Sequence, residues 1–169
     1  MVIDIRGMAP LLQVYDMPTS IKFYCEALGF ELVSTDGKPA PNCDWVLLKL
    51  DGVELMLNTA YEAHQRPPKP HPARISAHRD VGLFFGCPDV DAAYSHLRSI
   101  GVEAVEAKDP KVAPYGTKQL YLTDPDGYEL MASGLAKVAN YSETQPHQFP
   151  QSISLGEKCR VLSDFSTHT

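Results

Sequence analysis

The chain has 169 residues, 44% hydrophobic and 21% charged, with a formal net charge of −6. That length and balance suit one compact domain, or two small modules sharing a core. The acidity, with no cluster of Lys and Arg, argues against a nucleic-acid partner, because phosphate contacts need concentrated positive charge.

No apolar run approaches the length that crosses a bilayer, so no membrane partner is expected. The opening MVIDIRGMAP holds no long apolar stretch, so no secretory signal is expected and the expected location is cytoplasmic. Cys25, Cys43, Cys87 and Cys159 stand far apart with no CxxC pair. In a reducing compartment they read as free, buried thiols.

Residues 9–16, APLLQVYD, read as a strand. Asp16 is placed to cap a helix that tolerates Pro18 in its first turn. From Met17 to Leu28 the apolar residues Met17, Ile21, Tyr24 and Leu28 recur at helical spacing, and Gly29 follows as a left-handed terminator. Residues 30–34 return as a strand. Residues 45–50, WVLLKL, and 53–59, VELMLNT, flank Asp51-Gly52, a hairpin turn signal.

Residues 60–80 carry Pro67, Pro68, Pro70 and Pro72, and the prolines argue against regular structure there. The order of elements then repeats. Residues 81–87 form a strand. Asp89 caps a helix with the apolar face Val90, Ala93, Leu97 and Ile100, and Gly101 ends it. Residues 102–106 form a short strand. Residues 117–123 form another, Asp124 to Gly127 turn, and residues 128–133 close the module.

The letters repeat as well. Asp51-Gly52-Val53-Glu54-Leu55-Met56 matches Asp126-Gly127-Tyr128-Glu129-Leu130-Met131 at an offset of 75, and Leu28-Gly29-Phe30-Glu31 matches Ile100-Gly101-Val102-Glu103 at an offset of 72. Two matches at nearly one offset mark an internal duplication. The expectation is an α+β fold of two tandem βαβββ modules forming a curved mixed sheet around a cleft. The modules span residues 1–60 and 81–133, joined by a Pro-rich linker over 61–80. Residues 134–169 form a C-terminal extension.

Strand alternation assigns the faces. Val53, Leu55 and Leu57 should bury against the helix, which leaves Glu54, Met56 and Asn58 on the opposite face. An unpaired carboxylate is costly in a dry core, so that face is expected to be concave and partly wet. The repeat puts Glu129 and Met131 on the equivalent face. Leu11, Gln13, Trp45, Phe84 and Tyr121 join it by the same parity. Aromatic and apolar groups with a few polar ones are the composition of a small-molecule cleft.

The run Val14-Tyr15-Asp16-Met17-Pro18-Thr19-Ser20-Ile21-Lys22-Phe23-Tyr24, then Leu28-Gly29-Phe30, resembles the opening of the vicinal oxygen chelate superfamily. So do Pro88-Asp89-Val90-Asp91-Ala92-Ala93-Tyr94, and Tyr115-Gly116 leading to Asp124-Pro125-Asp126-Gly127-Tyr128. That superfamily holds glyoxalase I, bleomycin-resistance proteins, fosfomycin-resistance enzymes and extradiol dioxygenases. Its metal-dependent members carry His, Gln or Glu ligands at four inner strand positions. By correspondence these fall on Ala9, Glu54, Gly82 and Met131, with Glu129 as the alternative fourth. Ala, Gly and Met supply no hard side-chain donor.

The resemblance therefore implies the bleomycin-resistance branch. Its implications are a small organic ligand, no metal or other cofactor, and a homodimer with clefts shared between subunits. Gln13, Trp45, Glu54, Met56, Asn58, Phe84, Tyr115, Tyr121 and Met131 are the expected ligand contacts. Tyr115 is included because the loop before the seventh strand borders the cleft in that family.

The alternative is a lyase, isomerase or dioxygenase-type enzyme of the same superfamily, with Glu54 as general base or metal ligand. A third reading, a dimer with no ligand, expects Glu54 to be paired with Lys49 or Lys118. His64, His71 and His78 recur every seven residues around the prolines and read as solvated loop residues, and His96 as a surface residue. Cys87 reads as a small buried hydrophobe, since no activating base is visible.

Overall fold

The computed structural model describes residues 3, 7–62, 64–101 and 109–136. The chain divides into two units, Met1–Ala136 and Lys137–Thr169. The second unit lies outside the described residues, as do Cys159 and the strand expected over 102–106.

The first module runs β1 (Leu11–Val14), α1 (Met17–Lys22), β2 (Glu31–Thr35), β3 (Trp45–Leu50) and β4 (Val53–Thr59). The helix α1 continues into a π-helical turn over Phe23–Ala27. After α2 (Pro72–His78) the second module runs β5 (Gly82–Gly86), α3 (Val90–Ile100), β6 (Lys111–Val112), β7 (Thr117–Thr123) and β8 (Glu129–Leu135). Both main helices start as their caps dictate. Asp16 Oδ2 accepts from the Thr19 N–H at 3.1 Å, and Asp89 Oδ1 from the Ala92 N–H at 3.1 Å. Both helical segments end before a glycine with positive φ, Gly29 at 81° and Gly101 at 55°.

The strands form two four-stranded mixed sheets with the same internal order, β1-β4-β3-β2 and β5-β8-β7-β6. In each, the first and last strands of the module pair in parallel and the others are antiparallel. The duplication seen in the letters is thus a duplication of topology.

Alternation decides what is buried. Leu12, Val14, Val46, Leu48, Leu55 and Leu57 are buried in the first sheet, and Leu120, Leu122 and Leu130 in the second. They share one apolar core with Met17, Phe23 and Tyr24 from the first helical segment and Val90 and Leu97 from α3. Each such side chain contributes about 1.5–3 kcal/mol on leaving water. Phe30 and Phe85 meet edge to face at 6.2 Å and carry the core across the two modules. Two expected core positions differ. Val53 is 45% exposed because it opens β4 at the hairpin, and Ile100 is 39% exposed because it ends the last turn of α3.

The linker also differs from expectation, because α2 forms within it. Pro72 sits in the first helical turn, where its missing N–H is not needed, and the other prolines precede the helix. This short helix bridges the modules. Arg74 Nη2 donates to the Gln13 carbonyl on β1 at 2.8 Å. His78 Nδ1 lies 2.7 Å from the Asp126 carbonyl and donates to it, and its ring stacks on Tyr128 with centroids 4.1 Å apart. His78 is therefore a packed strut and not a solvated loop residue, whereas His64, His71 and His96 are exposed.

Two aspartates of the β7–β8 turn complete the junction. The Tyr15 N–H donates to Asp126 Oδ1 at 2.7 Å, the Ser20 hydroxyl to Asp126 Oδ2 at 3.2 Å, and the Tyr24 hydroxyl to Asp124 Oδ2 at 2.9 Å. Asp124 Oδ1 also accepts the N–H groups of Asp126 at 2.9 Å and Tyr128 at 2.8 Å. Each aspartate is only 3% exposed. Burial pushes Asp124 from 3.8 up to about 6 and raises Asp126 as well, while the hydrogen bonds they accept hold both lower than burial alone would.

Candidate functional site

The faces turned away from the core carry the side chains expected to form the cleft. On the first sheet, strand register sets Gln13, Asn58 and Trp45 side by side across β1, β4 and β3. The adjacent row is Leu11, Met56 and Leu47. Asn58 Nδ2 donates to Gln13 Oε1 at 3.2 Å and to the Thr59 carbonyl at 3.0 Å, which holds the two amides in one orientation. On the second sheet Phe84, Met131 and Tyr121 form the equivalent row across β5, β8 and β7. The Leu11–Met56–Leu47 row and the Phe84–Met131–Tyr121 row correspond through the repeat, since Met56 and Met131 occupy the same position of the duplicated segment.

Much of this apolar surface is open. Phe84 is 58% exposed, Leu11 47%, Tyr121 38% and Tyr115 71%. Tyr115 nonetheless has a fixed place. Tyr121 Oη donates to Gln119 Oε1 at 3.0 Å, and Gln119 Nε2 donates to Tyr115 Oη at 2.6 Å. Gln119 is buried and ties the two phenols together. It was absent from the expected contacts, although alternation along β7 puts it on the same face as Tyr121.

A cavity of about 390 Å³ lies where the modules meet on this side, lined by Met8, Pro10, Glu54, Gly82, Phe84 and neighbours. Of the nine expected contact residues it brings together Glu54 and Phe84. Gln13, Trp45, Met56 and Asn58 extend from it along the first sheet, and Tyr121 and Met131 along the second. Glu54 is not a lone carboxylate. Lys49 Nζ stands 3.3 Å from its Oε1, and the two side chains are 48% and 44% exposed. Lys118, the other expected partner, pairs with Asp91 instead.

The donor set does not fit a metal of the superfamily's usual kind. The corresponding positions hold Ala9, Glu54, Gly82 and Met131, and Gly82 pairs in register with the exposed Glu129. Among the described residues no group of three or more His, Cys, Asp and Glu stands together to hold an ion. No reaction step through a metal follows from these residues. Cys43 is buried as expected, but Cys25 and Cys87 are only half-buried, packed against the margin of the core. Among the described residues no helix is long and apolar enough to cross a membrane.

Three of the solved structures that resemble this one illustrate the likeness. An antibiotic-binding protein, TnmS3 from Streptomyces sp. CB03234, is 22% identical with a TM-score of 0.55, covering 80% of this chain and 100% of that one. A bleomycin-binding protein complexed with bleomycin is 21% identical with a TM-score of 0.56, covering 77% of this chain and 98% of that one. A glyoxalase/bleomycin resistance protein/dioxygenase from Nocardioides is 20% identical with a TM-score of 0.57, covering 87% and 91%. At these identities the likeness is one of fold. No curated protein matches the sequence. The family model of the Glyoxalase/Bleomycin resistance protein/Dioxygenase superfamily matches residues 8–132, which span both modules and both inner faces, and the chain belongs to that superfamily.

Proposed function

We propose that this protein binds a bulky organic molecule, planar-aromatic and rich in amides, on its inner faces and without a metal. The observation that carries the reading is a pair of rows, one on each inner face, Gln13–Asn58–Trp45 and Phe84–Met131–Tyr121. They offer stacking surfaces beside preoriented amide donors and acceptors. Bleomycin, which one structural relative binds, has this chemistry. A second copy of the chain completes the cleft. Exposed Met8, Leu11, Phe84 and Tyr121 form an apolar surface of the kind that a partner covers. Use of Glu54 as a general base draws no support from its surroundings, since the half-exposed carboxylate is already paired with Lys49 at 3.3 Å.

The single tryptophan, Trp45, is a built-in reporter on the proposed surface. Titration with bleomycin in the presence of EDTA should change its fluorescence saturably. Phe84→Ala should weaken binding by roughly tenfold, the scale of one lost aromatic anchor. Phe84→Glu should shift the sedimenting species from dimer to monomer. No saturable change at millimolar bleomycin would remove the ligand class, and loss of binding on chelation would remove the metal-free reading. A wild-type protein sedimenting as a monomer would overturn the shared cleft.

A further inference from the structure

A second cavity lies on the helix side of the sheets, away from Gln13, Trp45 and Tyr121. Its volume is about 480 Å³, within the range of small-ligand sites. The end of the first helical segment, the β3–β4 hairpin and the β5–β8 pair enclose it. The walls come largely from Leu28, Phe30, Leu50, Phe85, Leu130 and Ala132. Two other groups matter. Cys87 presents a half-buried thiol at the end of β5, and Asp51 stands in the hairpin turn with φ of 51°. Among the described residues no Lys, Arg or His lines the cavity. Asp51, an exposed residue, is the one carboxylate among the described residues of this otherwise apolar lining.

We propose that this cavity is a second binding site, for a small lipophilic cation whose apolar body fills the chamber and whose ammonium group meets Asp51. Charge complementarity selects the class. A carboxylate ligand would meet Asp51 as a like charge, and a neutral hydrocarbon would leave that attraction unused. The inner cavity offers different chemistry, because its carboxylate, Glu54, already has Lys49 at 3.3 Å. The two cavities share Val53, Phe85 and Gly86 as walls, but Phe84 lines only the inner one. That difference makes the sites separable by experiment.

The probes are 1-naphthylmethylammonium and its anionic counterpart 1-naphthylacetate, followed by calorimetry on the full chain. The ammonium should bind saturably and the carboxylate at least tenfold more weakly. Asp51→Asn should reduce ammonium affinity about three- to fivefold, the scale of one exposed ion pair, and narrow the gap between the probes. Asn tolerates the left-handed turn, so the fold is kept. The ammonium probe should also slow alkylation of Cys87 by iodoacetamide, read by peptide mass spectrometry, and leave Cys25, which does not line the cavity, as an internal control. Equal binding of the two probes, or an unchanged Cys87 rate, overturns the proposal. Loss of ammonium binding in Phe84→Ala also overturns it, by moving the site to the inner face. The bleomycin titration of Trp45 fails or succeeds independently of these outcomes.

Discussion

Asp124→Asn removes a buried carboxylate while keeping its shape and its acceptor. The Asn carbonyl still receives the Asp126 and Tyr128 N–H groups at the Oδ1 position, and the new amide can donate to the Tyr24 hydroxyl, which then acts as acceptor. What changes is the charge. Burial raises Asp124 from 3.8 to about 6, so the folded protein holds this proton over a window in which the unfolded chain has lost it. Stability from this group is fully present below about pH 4 and is lost as pH rises through about 6. A shift of roughly 2 units corresponds to about 3 kcal/mol. Asn is neutral throughout. The wild-type advantage over Asp124→Asn should therefore shrink by about 3 kcal/mol between about pH 4 and about pH 7. Urea unfolding at several pH values, followed by circular dichroism, measures it. Asp126 moves in the same direction and stays in both proteins, and because its charge helps raise Asp124, the difference reports Asp124 together with that coupling. A difference that is constant with pH, or that grows as pH rises, would mean that burial does not raise Asp124 in the folded protein.

Gly127→Ala should cost about 2–4 kcal/mol in the same unfolding assay, because φ is +89° and the added Cβ would lie 2.6 Å from the Ile75 carbonyl oxygen of α2. A loss below about 1 kcal/mol would mean that α2 does not press on the turn. Asp16→Ala should cost about 1–2 kcal/mol by removing the α1 cap and the Arg66 contact at 2.9 Å, whereas Asp16→Asn should recover most of it, since a half-exposed ion pair contributes less than the cap. Equal losses in the two variants would assign the effect to the ion pair.

Local rules carried much of the fold. The caps Asp16 and Asp89, the turn at Asp51-Gly52, and the period-two burial of Leu55 and Leu57 all act through neighbours in sequence, and each appears where the letters put it. The duplication made the second module legible from the first. Parity also named the members of the inner rows, because side-chain direction in a strand follows from position alone. It did not yield Gln119, whose role depends on the meeting of Tyr115 and Tyr121 at one amide.

What the sequence determined by itself was therefore the order of elements and the face each side chain takes. The tertiary structure decided which faces meet. It turned Asp124 and Asp126 from turn residues into buried acceptors for Tyr15, Ser20 and Tyr24, a hundred or more residues away along the chain. It stacked His78 on Tyr128 and made a helix of a proline-rich linker. Burial, and with it the energetics of a charge or a hydrogen bond, is a property of packing between distant segments, and no spacing of letters within one segment encodes it.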